Sequence, residues 1–450
     1  MADIVSLLLL VIFFFLGFIY PKKIGWIALF LCPLLGPTTL TIAGSSFLPL
    51  TIYRVFIMIT FGVLASHYGR NYPLKKILKS NFVKILAILV SFIFFISLKD
   101  RAINMIFTFI PNIFCSITLC FVLIRTKPDL IKFTKFFVYH ASIISILIII
   151  EFYTEFNFTY EMQKTIPGLT VEELNTTSKI YNPQDRTGIY RPGGLDGSAG
   201  QTGFRLAFLF PLTLWFATRS VKFSFIHAFI TLIGLFHLQT RASWFAIIIS
   251  FLYILTIFFQ NNSLSLKKKI LSMFAIVFLS LFMFFIFQPR YYSVANDFIF
   301  NTIPDSFNPE AHNNIEYKII RWPAALKIIN QSPIWGHLVS RHYAESYMFW
   351  GLDLPSPFVY LLSGGAVLLT IYLSHLFFMP LNLIKISRSK LKSNNEKIYF
   401  LFVVSAFIAG IFCIFTNYQE AHFLIMYMLY ISIYKVFVFS KYWNPNQVVS

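Results

Sequence analysis

Several arginine residues in this sequence stand near the ends of apolar runs or in the polar segments between them, next to glycine or proline. A guanidinium group can bind a phosphate through two parallel hydrogen bonds, and it stays charged at any working pH. An arginine at the depth of a lipid bilayer is unfavourable unless it is paired, so such residues are candidates for function. Their chemistry indicates a site for a phosphate or diphosphate that remains at a membrane. The four candidates are Arg191, Arg205, Arg241 and Arg321.

The stretch from Tyr190 to Leu206 is the most distinctive of these settings and reads YRPGGLDGSAGQTGFRL. Gly193 and Gly194 allow close approach of the backbone and positive φ angles, which makes them candidate backbone elements of a binding loop. No strand is predicted before them, so the stretch is not a nucleotide-binding fingerprint. Arg205 follows within the next apolar run, where ligand binding and a structural pair with Asp196 are equally open.

Two carboxylates are candidates for the proton acceptor of such a site. Glu345 and Asp353 lie near the point where a long polar segment returns to an apolar run, whereas a lone carboxylate in a loop is usually solvated surface. The closest histidines in the polar segments, His337 and His342, are five residues apart, and the cysteines all lie inside apolar runs. We therefore predict no metal site and no cofactor.

The composition indicates the class of protein that carries these residues. Hydrophobic residues make up 57% of the 450 residues and charged residues 12%, against about 25% charged in soluble domains. Apolar runs of about 20 residues match the hydrocarbon thickness of a bilayer. The sequence thus predicts an all-α polytopic membrane protein, with residues 1–450 as a single membrane domain of 12 or 13 spans. The predicted spans are 4–20, 24–43, 48–66, 83–98, 102–124, 133–152, 202–217, 223–238, 242–259, 270–288, 356–384, 398–416 and 420–440; Pro33, Gly36 and Pro37 make the second short or re-entrant.

The formal net charge of +19 is explained by membrane topology rather than by nucleic-acid binding. Lys and Arg concentrate in short loops, and an even number of predicted spans lies between any two of these loops. The positive-inside rule therefore puts all of them in the cytoplasm. They are 67–84, 125–135, 219–222, 267–269, 385–397 and 435–441. The same parity puts four segments on the outer face, two long (153–201 and 289–355, the first and second outer loops) and two short (237–241 and 417–421). The candidate arginines lie within these segments or, for Arg205, at the start of the span that follows the first of them. Within the second loop we predict a helix from Tyr317 to Ile329.

Over roughly residues 185–380 the chain resembles the O-antigen polymerase and O-antigen ligase superfamily of bacterial membrane enzymes. The resemblance is carried by the order of short motifs along the chain and by their predicted side of the membrane. The motifs are Arg191-Pro192-Gly193-Gly194, Thr240-Arg241-Ala242-Ser243, Arg321-Trp322, Ser332-Pro333-Ile334-Trp335-Gly336 and Ser363-Gly364-Gly365.

The resemblance implies a GT-C-like fold and a metal-independent, inverting glycosyl transfer at the periplasmic face of the bacterial inner membrane. The implied substrate is an oligosaccharide linked to undecaprenyl diphosphate, held within the membrane lipid. Arg191, Arg241 and Arg321 match the arginines that would bind the diphosphate. A chain-length regulator protein is the protein partner that the resemblance suggests.

One departure from the family pattern favours a polymerase over a ligase. Ligases resemble one another in a His-Asn pair just before the span with paired glycines, but here that region reads Asp353-Leu-Pro-Ser-Pro-Phe358. Displacement of the histidine's role onto His337 or His342 stays open. A flippase for the lipid-linked sugar would need charged residues within its spans, and a transporter would show repeated halves with interrupted helices; neither pattern is evident.

Overall fold

A computed structural model describes most of the predicted spans and part of the loops. The described residues are 2–35, 41–43, 50–67, 80–99, 110–156, 192–195, 199–219, 223–238, 240–260, 326–337, 356–391, 393–416 and 421–439. Within these ranges the chain is almost entirely helical. The helices are α1 (Ala2–Ile19), α2 (Pro21–Leu35), α3 (Ile52–Ser66), α4 (Asn81–Lys99), α5 (Ile110–Leu123), α6 (Lys127–Thr154), α7 (Ala199–Ala217), α8 (Ser224–His237), α9 (Arg241–Gln260), α10 (Ser356–Lys390), α11 (Asn394–Thr416) and α12 (Ala421–Tyr434), the last continued by a π-helix (Lys435–Phe439).

The predicted all-α membrane architecture is confirmed in these ranges. Among the described residues, three helices are long and apolar enough to cross a membrane, namely Lys127–Thr154, Val359–Lys390 and Asn394–Phe415, and several shorter apolar helices accompany them. Each predicted span overlaps a helix, except 270–288, which lies outside the described residues, as does the part 102–109 of the span 102–124. The chain is therefore an integral membrane protein built from helices.

Two consecutive predicted spans, 24–43 and 48–66, were too long at their adjoining ends. Helix α2 contains Pro33 and ends at Leu35, which confirms that this run is short. The predicted ends 41–43 and 50–51 are strands instead, since Thr41–Ala43 (β1) pairs antiparallel with Leu50–Thr51 (β2). Hydropathy could not distinguish these apolar residues from a helix, although Thr and Ile favour extended backbone.

Helix α7 is the centre of the bundle. Every residue from Thr202 to Phe216 is buried, as expected for a helix that is hydrophobic on all sides. It packs against α11, α8, α6 and α9, and α10 packs on α11 and α4. The residues at the two ends of α7 are therefore fixed by four neighbouring helices.

The cytoplasmic ends predicted for α6 and α11 lie together. Thr126 and Asp129 form a reciprocal cap at the start of α6, in which each side chain accepts the other's backbone N–H. Lys127 forms an ion pair of 2.5 Å with Glu396 in the first turn of α11. Lys435 was assigned to a basic loop, but it is buried in the π-helix and donates to the Phe121 carbonyl.

Small residues allow α1 and α3 to pack closely, and this contact is open to a simple test. A Cβ on Gly62 would collide with the Phe14 carbonyl of α1. We expect Gly62→Ala to separate the two helices and to lower stability by about 1–3 kcal/mol, the usual effect of overpacking. The measurement is the melting temperature of the purified protein in detergent.

Gly410→Ala is the matched control for Gly62→Ala. Its Cβ would meet side-chain atoms of Phe208 at 3.0 Å and of Met426 at 3.2 Å rather than backbone, so a smaller shift of the neighbours suffices. Equal melting temperatures for the two variants would contradict close backbone packing of α1 on α3.

Candidate functional site

The turn that follows Arg191 is buried and bound to the end of α6. Gly193 N–H donates to Glu151 Oε1 and Gly194 N–H donates to Glu151 Oε2, each over 2.9 Å. Glu151 lies three residues before the end of α6 and is only 4% exposed. The sequence analysis missed Glu151 because it falls inside a predicted span. An acid at the outer end of an apolar run was the available signal.

The N-terminal end of α7 binds the same glycine turn from its other side. Thr202 Oγ1 donates to the Gly193 carbonyl over 2.7 Å. Gly194 has a φ of 66°, and a Cβ there would lie 2.8 Å from Thr202 Cγ2. The glycine at this position is therefore required both by its backbone conformation and by the close approach of α7.

The same end of α7 also contacts the motif that contains Arg241. Gly203 lies so close to Thr240 that a Cβ would collide with its hydroxyl, and Ser243 Oγ would be 2.6 Å away. Thr240 Oγ1 donates to Ser243 Oγ over 2.8 Å, and both residues are buried. Thr202 and Gly203 thus join the motif of Arg191 to the motif of Arg241, which sequence spacing alone could not show.

Arg205 lies one turn further along α7 and is only 1% exposed. Its Nη2 donates to the Leu34 carbonyl over 2.7 Å. That carbonyl belongs to the last turn of α2, where backbone acceptors lack partners within the helix. The contact ties α7 to the end of α2, and it favours the structural role over the ligand-binding role that the sequence left open.

A second site of close contact lies at the paired glycines of α10. Gly364 and Gly365 interrupt the helix with non-helical angles, and Gly365 has φ 62° and ψ −160°. The described part of the second predicted outer loop, residues 326–337, packs against this break. We call the contact between residues 332–337 and residues 362–367 the loop joint.

Backbone hydrogen bonds on both sides of the break form the loop joint. His337 N–H donates to the Leu362 carbonyl over 2.9 Å, which satisfies the end of the first half of α10. Ala366 N–H donates to the Pro333 carbonyl over 2.8 Å, and Val367 N–H to the Ile334 carbonyl over 3.3 Å. These N–H groups begin the second half-helix, so this helix start is already capped and does not form an anion site.

The structure covers only part of the predicted site. Arg191, Arg321, Glu345, Asp353 and His342 lie outside the described residues. Arg241 is the first residue of α9, and only its backbone is described. His337 is described, and its Nε2 is 2.8 Å from the Ile328 carbonyl. In the described ranges no group of three or more His, Cys, Asp or Glu side chains could hold a metal ion.

Comparison with known proteins supports the resemblance noted in the sequence. Residues 226–357 match the family model described as O-antigen ligase. The match runs from α8 to the start of α10, and it includes the motif of Arg241, Arg321 and the Ser332–Gly336 part of the loop joint. A search of curated proteins found no match. The family match supports a function of the O-antigen polymerase or ligase type and a membrane enzyme in general.

Proposed function

We propose that this protein polymerises oligosaccharide repeat units linked to undecaprenyl diphosphate into a surface polysaccharide, at the periplasmic face of the bacterial inner membrane. The main supporting observation is the junction at the start of α7, where the flanking residues of Arg191 and Arg241 meet through Thr202 and Gly203. The residues that flank two arginines from distant parts of the chain are thereby brought into one small region.

The reaction that we propose is an inverting glycosyl transfer. The bond between C1 of the donor's first sugar and the diphosphate oxygen breaks, and a hydroxyl of a second lipid-linked unit forms the new bond to C1 from the opposite face. Undecaprenyl diphosphate leaves with the negative charge. Fixed arginines stabilise that growing charge more than they stabilise the bound donor, which is what accelerates the step.

Three arginines share the diphosphate in this proposal. Arg191 and Arg241 approach from the junction at α7, and Arg321 approaches from the second outer loop. Glu345 or Asp353 takes the proton of the attacking hydroxyl. The amides of Gly193 and Gly194 already donate to Glu151, so we assign phosphate binding to side chains and assign the glycines to the shape of the turn.

The position of the loop joint supports an active site at the membrane boundary. Lys385 lies 20 residues after Gly365, which corresponds to about 30 Å of helix, or one hydrocarbon thickness. If Lys385 marks the cytoplasmic boundary, Gly365 lies near the outer one. Arg321 lies five residues before the described loop segment that packs there.

The second candidate is an O-antigen ligase, which transfers finished glycan from the same carrier to a lipid A-core acceptor. The observation that favours it is the description of the matching family model. The missing His-Asn pair before α10 favours the polymerase. Both reactions use the same donor and the same arginines, so the acceptor is what separates them. A flippase or transporter remains the alternative outside enzymology.

The products left by a gene deletion distinguish these functions. Lipopolysaccharide or capsule from the deleted strain is separated on a gel, with the wild-type gene returned as the control. We expect lipid A-core that carries one repeat unit, restored to a ladder by the gene. Bare core with glycan on the polyprenyl carrier would indicate the ligase, and an unchanged ladder would contradict both enzymes.

A further inference from the structure

Glu151 is a carboxylate enclosed by protein at the outer end of a long membrane helix. Removing a carboxylate from water is strongly unfavourable unless hydrogen bonds replace the lost solvent. Two such bonds come from one short turn, because Oε1 accepts from Gly193 and Oε2 from Gly194. Glu151 therefore binds the turn beside Arg191 directly.

Two hydrogen bonds to the two carboxylate oxygens restrain the turn more fully than a single bond would. They determine both where the turn lies and how its successive peptide planes are tilted, as in other bidentate carboxylate contacts. Thr202 binds the carbonyl of Gly193 from α7. The turn is thus held from α6 through its N–H groups and from α7 through a carbonyl.

Pro192, the rigid first residue of the turn, extends this restraint toward Arg191. Pro192 is buried and follows Arg191 directly. Its ring fixes φ at about −65°, and it also restricts the backbone of the residue before it. The orientation of Gly193 therefore limits the direction in which the chain reaches Arg191.

The same contacts argue against Glu151 as the proton acceptor of the reaction. Each of its oxygens already accepts an N–H, and the side chain is 4% exposed. A sugar hydroxyl would have to displace the turn to reach it. A role in orienting the turn is consistent with all of these contacts.

We propose that Glu151 is a positioning residue, which holds the Pro192–Leu195 turn next to Arg191 and thereby supports binding of the lipid-linked diphosphate. This inference rests on the proposed function and extends it to a residue within α6. A glutamine at this position keeps one acceptor oxygen but turns an NH2 group toward the second glycine N–H. The turn then loses one of its two bonds to α6.

The test measures binding of undecaprenyl diphosphate to the full chain in lipid nanodiscs. We expect Glu151→Gln to weaken binding by about tenfold or more, as loss of a hydrogen bond to a charged group does. We expect Arg191→Ala to weaken it at least as much. Glu151→Gln added to Arg191→Ala should change affinity by less than about twofold, because the two act through one contact. Hydrogen exchange of Gly193 and Gly194 should accelerate in Glu151→Gln.

Further variants separate positioning from general damage to the fold. Ser142→Ala removes a 2.7 Å bond from α6 to His227 of α8 and should leave binding unchanged. Thr202→Val removes the hydroxyl that holds Gly193, and should weaken binding, whereas Thr202→Ser should not. These variants test the turn even if Glu151→Gln does not fold.

Failure of this inference and failure of the proposed function give different results. Wild-type affinity in Glu151→Gln, or an equal further loss in the Arg191→Ala background, would overturn the positioning role alone. No binding by the wild-type protein, or full binding by Arg191→Ala, would overturn the diphosphate site itself.

Discussion

Alanine in place of Arg191, Arg241 or Arg321 is expected to abolish long-chain polysaccharide while the amount of membrane protein stays normal. Each guanidinium would bind the diphosphate as negative charge develops on it, and no metal ion shares that task in the proposed reaction. Removing one preorganised partner of a transition-state charge lowers the rate by about 10²–10³-fold. A polymer needs many successive transfers, so the longest products disappear first.

Lysine variants make this prediction more specific. Lysine keeps the positive charge but cannot form the planar, two-bond contact of a guanidinium with phosphate. We expect Arg→Lys variants to retain short products and to fall between the wild-type and alanine variants. The measurement is the length distribution of the gel ladder at matched protein level.

Two other arginines are controls with opposite expectations. Arg388 is exposed near the far end of α10, and Arg388→Ala should leave the ladder unchanged. Arg205 is buried and donates to Leu34, so Arg205→Ala should lower the amount of folded protein. Full ladders from the alanine variants of Arg191, Arg241 and Arg321 would contradict the diphosphate site.

Hydropathy predicted most of the fold because the bilayer makes strong demands on helix length and apolar content. It failed where apolar residues take another backbone form, as at Thr41–Ala43, which is a strand. It also failed at Lys435, where charge indicated a loop but the side chain is buried against Phe121. A single charged residue can be satisfied inside the protein, and a sequence pattern does not reveal its partner.

The candidate site was predictable as a set of motifs but not as a set of contacts. Spacing along the chain gave no reason for Gly203 to touch Thr240, or for Gly336 to touch Gly365. Glu151 was missed for the same reason, since its two partners are 42 and 43 residues away. Close approach and positive φ were predicted for Gly193 and Gly194 and are found at Gly194, and Gly365 meets the same two requirements.

Gly365→Ala is expected to open the loop joint and to abolish long-chain product while α10 remains a membrane helix. Its φ of 62° and ψ of −160° are almost confined to glycine, and an L-residue there is strained by about 1–3 kcal/mol. A Cβ would also collide with the Ile334 carbonyl. Relief requires the loop to move away, which breaks the bonds from Ala366 and Val367 at about 0.5–1.5 kcal/mol each.

The measurement is hydrogen exchange of His337, Ala366 and Val367, together with the gel ladder. We expect faster exchange at all three amides and loss of the ladder. Gly410→Ala is the matched control, since the atoms nearest to the same added methyl belong to the side chains of Phe208 and Met426 rather than to backbone. It should change neither readout.

Gly336→Ala tests the same joint from the loop side. Gly336 has a φ of 64°, and its Cβ would lie 2.5 Å from Gly365 N. Because both substitutions open one contact, the double variant should be little worse than either single variant. If Gly365→Ala kept a normal ladder and protected amides, the loop joint would not be needed to hold the outer loop. If Gly365→Ala accelerated exchange but left a normal ladder, the loop joint would exist in the wild-type protein but would not be needed for catalysis. The position of the loop joint would then no longer support Arg321 as a ligand of the diphosphate.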